Sequence, residues 1–387
     1  MAGSRIRGIG RWLLPLLLAN FVQAQPAGSP ALRHRILDLR SLGAVGLQVS
    51  AEEEGKPLYP GRVHFIDGST LAISFPIFNP VVALSTREHP TGGSILLHTV
   101  LLDLQRFQVT SERSWGNAAK TVLIPFGDRF AVASDGQAQV FSRDWKQLDT
   151  YRYRAPVAIR YLASPSGKTL FYTSPTADQA AAKEMVEVLP NGMRKSAYVF
   201  TADSEGYDAA SDSKFAFVRH TNRGIKLFVA PLDAFRTKPL ALQPLPYDPE
   251  ERCIKPHFVS DDLLVFGGEC KHLSLVSATG KLRFRSKLAW SSELFGFVSS
   301  RDQTRFAFIV RDVDTEPWRG ERPATVYRAR TLDVYETASL AKLFEVPIPQ
   351  PLGSTYSMDL ALSPDGSSVA LLVGWRVVVY RVSPSGG

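Results

Sequence analysis

The chain has 387 residues, 44% of them hydrophobic and 21% charged, with a formal net charge of +8. This composition supplies a sizeable core and excludes a disordered or collagen-like chain. Arg5, Arg7 and Arg11 carry three of the positive charges, which leaves +5 on the remainder, too little by itself to argue for nucleic acid.

The N-terminus reads as a signal peptide. The three arginines form a basic lead, Trp12 to Phe21 is a short apolar run, and Val22-Gln23-Ala24 offers small residues to a peptidase. Cleavage is expected after Ala24, leaving residues 25–387 as one domain. The apolar run is about half of the ~20 residues that span a bilayer, and Pro15 and Asn20 interrupt it. A periplasmic or secreted protein without stable membrane insertion is therefore expected. Export also makes the only two cysteines, Cys253 and Cys270, candidates for a disulfide.

A repeat then runs along the chain. VHFIDGSTLAISF (63–75), TVLIPFGDRFAVAS (121–134) and RYLASPSGKTLFYTS (160–174) share one pattern. YDAASDSKFAFVRH (207–220), KPHFVSDDLLVFGG (255–268), GFVSSRDQTRFAFIV (296–310) and LALSPDGSSVALLV (360–373) repeat it. Each has an apolar run, a turn rich in Gly, Ser, Asp or Pro, and a second run rich in Val, Phe, Ile and Leu, the signals of a β-hairpin. The second runs start near residues 70, 129, 169, 214, 263, 305 and 369, at intervals of 59, 40, 45, 49, 42 and 64 residues. A period of ~40–50 residues with four strands per unit is the signature of a propeller blade. Third and fourth strands show at QAQVFS (137–142) with QLDTYRY (147–153), and at HLSLVS (272–277) with KLRFRSKL (281–288). Only ADQAAAKEMVEVL (177–189) hints at a helical turn.

The turn Ser363-Pro364-Asp365-Gly366, followed by an apolar strand and WRVVVYRV, resembles the repeat of WD-repeat-like and TolB-like bacterial β-propellers. Ser164-Pro165-Ser166-Gly167 and Ser211-Asp212-Ser213 look like decayed copies. No Trp-Asp dipeptide closes a third strand and no Gly-His opens a unit, so the resemblance implies fold and no particular activity. The fold class expected is all-β, a propeller of seven four-stranded blades. Residues 63–382 supply the blades, but the last unit lacks a fourth strand. The segment at 31–42, with RHRILDLRSL at 33–42, is expected to supply it. That would close the ring and cover two exposed sheet edges.

Successive connections in an antiparallel meander alternate between the two ends of its strands. Three second-to-third connections read as long: 75–94, 174–185 and 311–324. Long loops on a rigid scaffold tend to carry function. The face they share is the expected working surface, with Arg87, Glu88, His89, Asp312, Asp314, Glu316, Trp318 and Arg319 on it. A two-residue turn at Asp261-Asp262 would set Cys253 opposite Cys270, at a separation that a disulfide accepts. Pro256 would then occupy a hydrogen-bonded position, which argues for a bulge or a longer turn.

The sequence has no G-x-S-x-G elbow, H-E-x-x-H helix, paired C-x-x-C or phosphate-binding glycine loop. No cofactor or metal is expected. His64 and His257 hold matching places in first strands, either facing the channel or packing between blades. Asp312-x-Asp314-x-Glu316 resembles the start of a calcium loop but lacks its Gly and distal Glu. Lys281, Arg283, Arg285 and Lys287 alternate with Leu282, Phe284, Ser286 and Leu288, which in a regular strand puts four cations on one face. That face suits an anionic polymer or serves as a solvated outer edge; YRYR, with Arg152 and Arg154, is a shorter case.

These features point to an exported, non-catalytic scaffold for a protein, peptide or glycan. The rival is a propeller hydrolase or lyase working at the channel mouth.

Overall fold

The computed structural model describes residues 34–50, 59–78, 95–134, 137–152, 160–175, 182–188, 194–201, 208–221, 224–232, 255–261, 263–267, 272–287, 292–316, 324–348 and 354–382. Residues 1–24, expected to be a signal peptide, lie outside them. No described helix is long and apolar enough to cross a membrane.

The repeats fold as successive antiparallel sheets. The first sheet takes Arg62–Phe65, Thr70–Phe78, Ile95–Asp103 and Gln108–Asn117 in chain order. The second takes Val122–Phe126, Arg129–Ser134, Gln137–Phe141 and Gln147–Arg152. The third takes Arg160–Ala163, Leu170–Pro175, Ala182–Val188 and Arg194–Thr201. The fourth shows three strands, Asp208–Ala210, Lys214–Thr221 and Gly224–Pro231. The fifth and sixth run from Lys255–Ser260 to Leu282–Lys287 and from Ser292–Ser299 to Lys342–Pro347. The seventh holds Met358–Leu362, Ser368–Val373 and Arg376–Arg381. His34–Asp38 lies antiparallel against Arg376–Arg381, from His34 opposite Tyr380 to Asp38 opposite Arg376. A 3₁₀ turn at Leu39–Leu42 follows, capped at its start by Asp38 and ended by Gly43 in the left-handed region.

The strands differ by their place in the sheet. Second strands are continuous apolar runs buried on both faces, as in Thr70–Phe78 and Ser368–Val373. The outer strand Gln108–Asn117 is polar and half exposed. The reason is that apolar clusters lie between consecutive sheets. Phe65, Leu71 and Val100 of the first sheet pack with Ala370, Leu372 and Val377 of the seventh. Leu97 and Leu101 pack with Phe130 and Phe141 of the second, and Val259 and Leu275 of the fifth pack with Phe306 and Phe308 of the sixth. Each fully buried Phe contributes on the order of 2–3 kcal/mol of apolar transfer, so stability is spread over many sheet–sheet contacts.

Several expectations need correction. The connections read as long loops are partly strand: Thr70–Phe78, Leu170–Pro175 and Arg305–Glu316 run on into them, and Ile95, Ala182 and Ala324 begin the return strands. Cross-strand pairing of β-branched and aromatic residues extends these ladders further than composition suggests. The expected helical turn within 177–189 gives way to the strand Ala182–Val188. The fifth sheet's register also differs. A bulge between Phe258 and Ser260 sets Lys255 opposite Gly267 and Pro256 opposite Phe266, one residue off the pairing that placed Cys253 against Cys270. The two cysteines themselves lie outside the described residues.

Candidate functional site

The first-to-second turns are built from a recurring serine. Ser164, Ser211, Ser300 and Ser363 are all buried. Each hydroxyl accepts an amide a few residues on: Thr169 N–H to Ser164, Lys214 N–H to Ser211, Arg305 N–H to Ser300 and Ser368 N–H to Ser363. A carboxylate then caps the turn in two cases. Asp302 accepts from the Ser300 and Thr304 hydroxyls, and Asp365 from those of Ser363 and Ser367. These short polar side chains satisfy backbone groups that a tight turn leaves unpaired.

The same turns tie neighbouring sheets together. Ser166 donates to Asp212 at 2.7 Å, and the Asp212 amide donates to Asp261 at 3.0 Å. The Asp302 amide donates to the Pro364 carbonyl at 3.1 Å, and Arg305 to the Gly366 carbonyl at 2.9 Å. First and seventh sheets join where the Val63 amide and Arg62 both donate to Asp359, at 2.8 and 3.3 Å. Burial pushes the Asp359 carboxyl above its usual range, and the Arg62 charge and Val63 amide oppose this only in part.

Arg301 stands at the centre of this end of the molecule. It occupies the place held by Pro165 and Pro364 in sister turns. Its Nη2 donates to the carbonyls of Phe65 and Ile66 at 2.7 and 2.8 Å, and also to that of Gly127. One side chain of the sixth sheet thus fastens the first and second. His64 Nε2 donates to the same Gly127 carbonyl at 3.0 Å. Burial lowers the His64 pKa to about 4, with the Arg301 charge acting in the same direction. Beside them Gly127 and Gly167, both at positive φ, touch backbone to backbone. A recess of about 340 Å³ opens here, lined by Gly127, Asp128, Arg129, Ser166, Gly167, Lys168 and Arg301.

No known family profile matches the chain, and no curated protein matches it. Solved structures do. The chain is similar to one from a structure entitled mitotic checkpoint complex, with a TM-score of 0.51 and 13% identity over 94% of this chain and 100% of that one. It is also similar to the C-terminal WD40 domain of Sif2, with a TM-score of 0.49 and 11% identity over 87% and 97%. The fold is that of a WD-repeat-like β-propeller. At such identities the likeness concerns the fold alone.

The expected working face lies at the opposite end of the strands. In the sixth sheet, pairing with the first strand ends at Asp312 opposite Ser292, and pairing with the fourth at Thr331 opposite Pro347. Among the described residues, Val313–Glu316 therefore pairs only with Ala324–Tyr327. Asp312, Asp314 and Glu316 are strand residues, opposite Arg328, Val326 and Ala324. This corrects their placement in a loop. Arg87, Glu88, His89, Trp318 and Arg319 lie outside the described residues.

The basic outer strand is less regular than the sequence implied. Leu275 faces Phe284 and Val276 faces Leu282, so a bulge at Arg283 breaks the alternation. Lys281 precedes the strand, and Arg283 and Arg285 are exposed. The strict four-cation face is thus not formed. His64 reaches a neighbouring sheet, and His257 stacks on Phe297 of the sixth at 4.9 Å. Both first-strand histidines serve contacts between sheets. Among the described residues, no three His, Cys, Asp or Glu side chains converge as a metal site requires.

Sequence reading missed Arg301 and Asp359. Arg301 carried a signal: a long cation replaces proline inside a repeated Ser-x-Asp turn. Asp359 carried none, because its partner is 296 residues away.

Proposed function

We propose that this chain is an exported binding scaffold, a propeller of seven four-stranded blades spanning residues 25–387. The His34–Asp38 strand closes it. Its partner is a protein, peptide or glycan held across the second-to-third hairpins of the first, third and sixth blades. The observation that carries this reading is the hairpin Val313–Glu316 with Ala324–Tyr327, which runs on beyond the pairing of both flanking strands among the described residues. A hairpin that runs on past its sheet can offer backbone donors and acceptors to a partner. In the first blade Phe75–Phe78 also continues beyond Arg62, but the chain covers both edges there: the Pro76 carbonyl accepts from the Val45 amide, Ala44 bridges Ile77, and the fourth strand follows the return strand as far as Leu96. The likeness to a propeller solved within a checkpoint complex agrees with a protein partner.

At the other end, Arg301 locks the turns on carbonyls, which gives that mouth an architectural task and favours a scaffold over a hydrolase or lyase. Export rests on the leader at 1–24; mass spectrometry of the mature N-terminus should find Gln25 first, and an intact leader would remove that part. Affinity capture from the exported fraction tests the binding face. Shortening 317–323, 79–94 or 176–181 in turn should remove partners while the melting temperature holds. Unchanged capture by all three variants would refute the assignment.

A further inference from the structure

The second mouth, at the opposite end from the hairpins, holds a guanidinium that is both fixed and partly unused. Arg301 spends Nη2 on the carbonyls of Phe65, Ile66 and Gly127. Three acceptors from two other sheets leave the planar group little freedom to swing. Nη1 and Nε have no acceptor among the described residues, and neither is a buried orphan. They therefore meet solvent in the recess of about 340 Å³ that Arg301 lines. Lys168 lines the same recess; its side chain is exposed and has no acceptor among the described residues. Arg129 is a third cation there, 3.6 Å from the Asp128 carboxylate. Asp128 and Asp67 are the acidic groups whose charge reaches Arg301. Gly127 and Gly167 bring bare backbone to the rim, so no side chain from these positions blocks the approach.

We propose that this recess binds a small ligand through an oxyanion, a phosphate or a carboxylate, seated between the free edge of Arg301 and the Lys168 ammonium. A pre-oriented guanidinium pays little ordering cost when an oxyanion arrives, and charge-assisted hydrogen bonds are about twice as strong as neutral ones. The carbonyl contacts of Arg301 neutralise no charge. They fix the cation and leave its positive potential for a ligand. Asp128 draws on Arg129, so Arg301 and Lys168 supply the attraction. The volume admits a phosphate or a small polycarboxylate and excludes a folded domain.

The test is calorimetric titration of the full chain with inorganic phosphate and, separately, with citrate at low ionic strength. One-to-one saturable binding to either is expected, weakening as salt rises, and the stronger of the two identifies the oxyanion. Lys168→Ala should fold normally, since that side chain has no bond among the described residues, and should lower affinity roughly five- to tenfold, about 1 kcal/mol. Arg301→Lys should abolish binding, and thermal melting will show whether it also loosens the turns. Absence of saturable heat with both ligands would overturn the proposal, as would equal affinity of the native chain and Lys168→Ala. Neither result bears on the hairpin face, which is assayed separately.

Discussion

The Val63 amide donates to Asp359 Oδ2 across 2.8 Å, joining residues 296 positions apart. Arg62 reaches the same carboxylate, and the Gly61 amide donates to the Ser357 hydroxyl at 2.7 Å. These bonds run between the first strands of the first and seventh sheets. They fasten the chain's beginning to its end where the Phe65 and Leu372 cluster also packs. Asp359 is largely buried, so the bond excludes water and losing it leaves a donor without a partner.

Asp359→Ala should destabilise by about 1–3 kcal/mol, the cost of an unsatisfied buried amide. Asp359→Asn should cost less, because an amide oxygen still accepts. The pH signature follows from the raised carboxyl. The folded state holds its proton where the unfolded state has lost it. Stability from this group therefore falls as pH rises from the unfolded value, about 4, through the folded one. Urea unfolding across mildly acidic pH should show the slope in the native chain and lose it in Asp359→Asn.

His64 acts in the opposite sense. Its folded pKa lies at about 4, below the ordinary imidazole value of 6.5. The unfolded state binds the extra proton between these values, so stability rises with pH across that window and is lost as pH falls. The full effect is about 3 kcal/mol. Denaturant midpoints for His64→Gln should lose this dependence, which separates it from the Asp359 slope.

Gly127 and Gly167 should resist substitution far more than Gly43. An added Cβ at Gly127 would lie 2.7 Å from the Gly167 carbonyl oxygen, and one at Gly167 would lie 2.8 Å from the Gly127 Cα. Both are backbone atoms with little room to yield. Gly43 also has positive φ, yet nothing lies within 4 Å. Thermal melts should show Gly43→Ala costing about 1 kcal/mol and Gly127→Ala or Gly167→Ala at least twice that.

Arg35 on the N-terminal strand donates to the carbonyls of Leu104 and Gln105 in the first sheet, at 2.7 and 3.0 Å. Arg35→Ala should cost about 1 kcal/mol. Deleting 31–42 should cost several times more and bare the Arg376–Arg381 edge, giving concentration-dependent association in light scattering. A stable monomer after deletion would contradict the role given to this strand.

Thiol titration of denatured, unreduced protein should find no free thiol if Cys253 and Cys270 are joined. An 18-residue loop closed this way is worth about 2–3 kcal/mol.

Much of the fold was legible because its signals are local. The hairpin with Ser363-Pro364-Asp365-Gly366 needs only residues 360–373, and its serine and aspartate roles can be read from the turn itself. Strand ends were less legible. Asp312, Asp314 and Glu316 read as loop because acidic residues disfavour strands, yet pairing with Ala324–Arg328 overrides that preference. The bulge at Val259 was signalled by Pro256, which has no N–H for the simple register, whereas the one at Arg283 was invisible, since a single extra residue changes register without changing composition. Arg301 was hidden for a different reason: its acceptors belong to the first and second sheets, distant in sequence.

Amide hydrogen exchange on residues 34–38 tests the account most directly, because a closed and rigid scaffold depends on that strand. Amides of His34–Asp38 that point to the Arg376–Arg381 strand should exchange slowly and open together with it. Exchange of residues 34–38 at unfolded-chain rates, with Arg376–Arg381 still protected, would contradict a propeller closed by its own N-terminus.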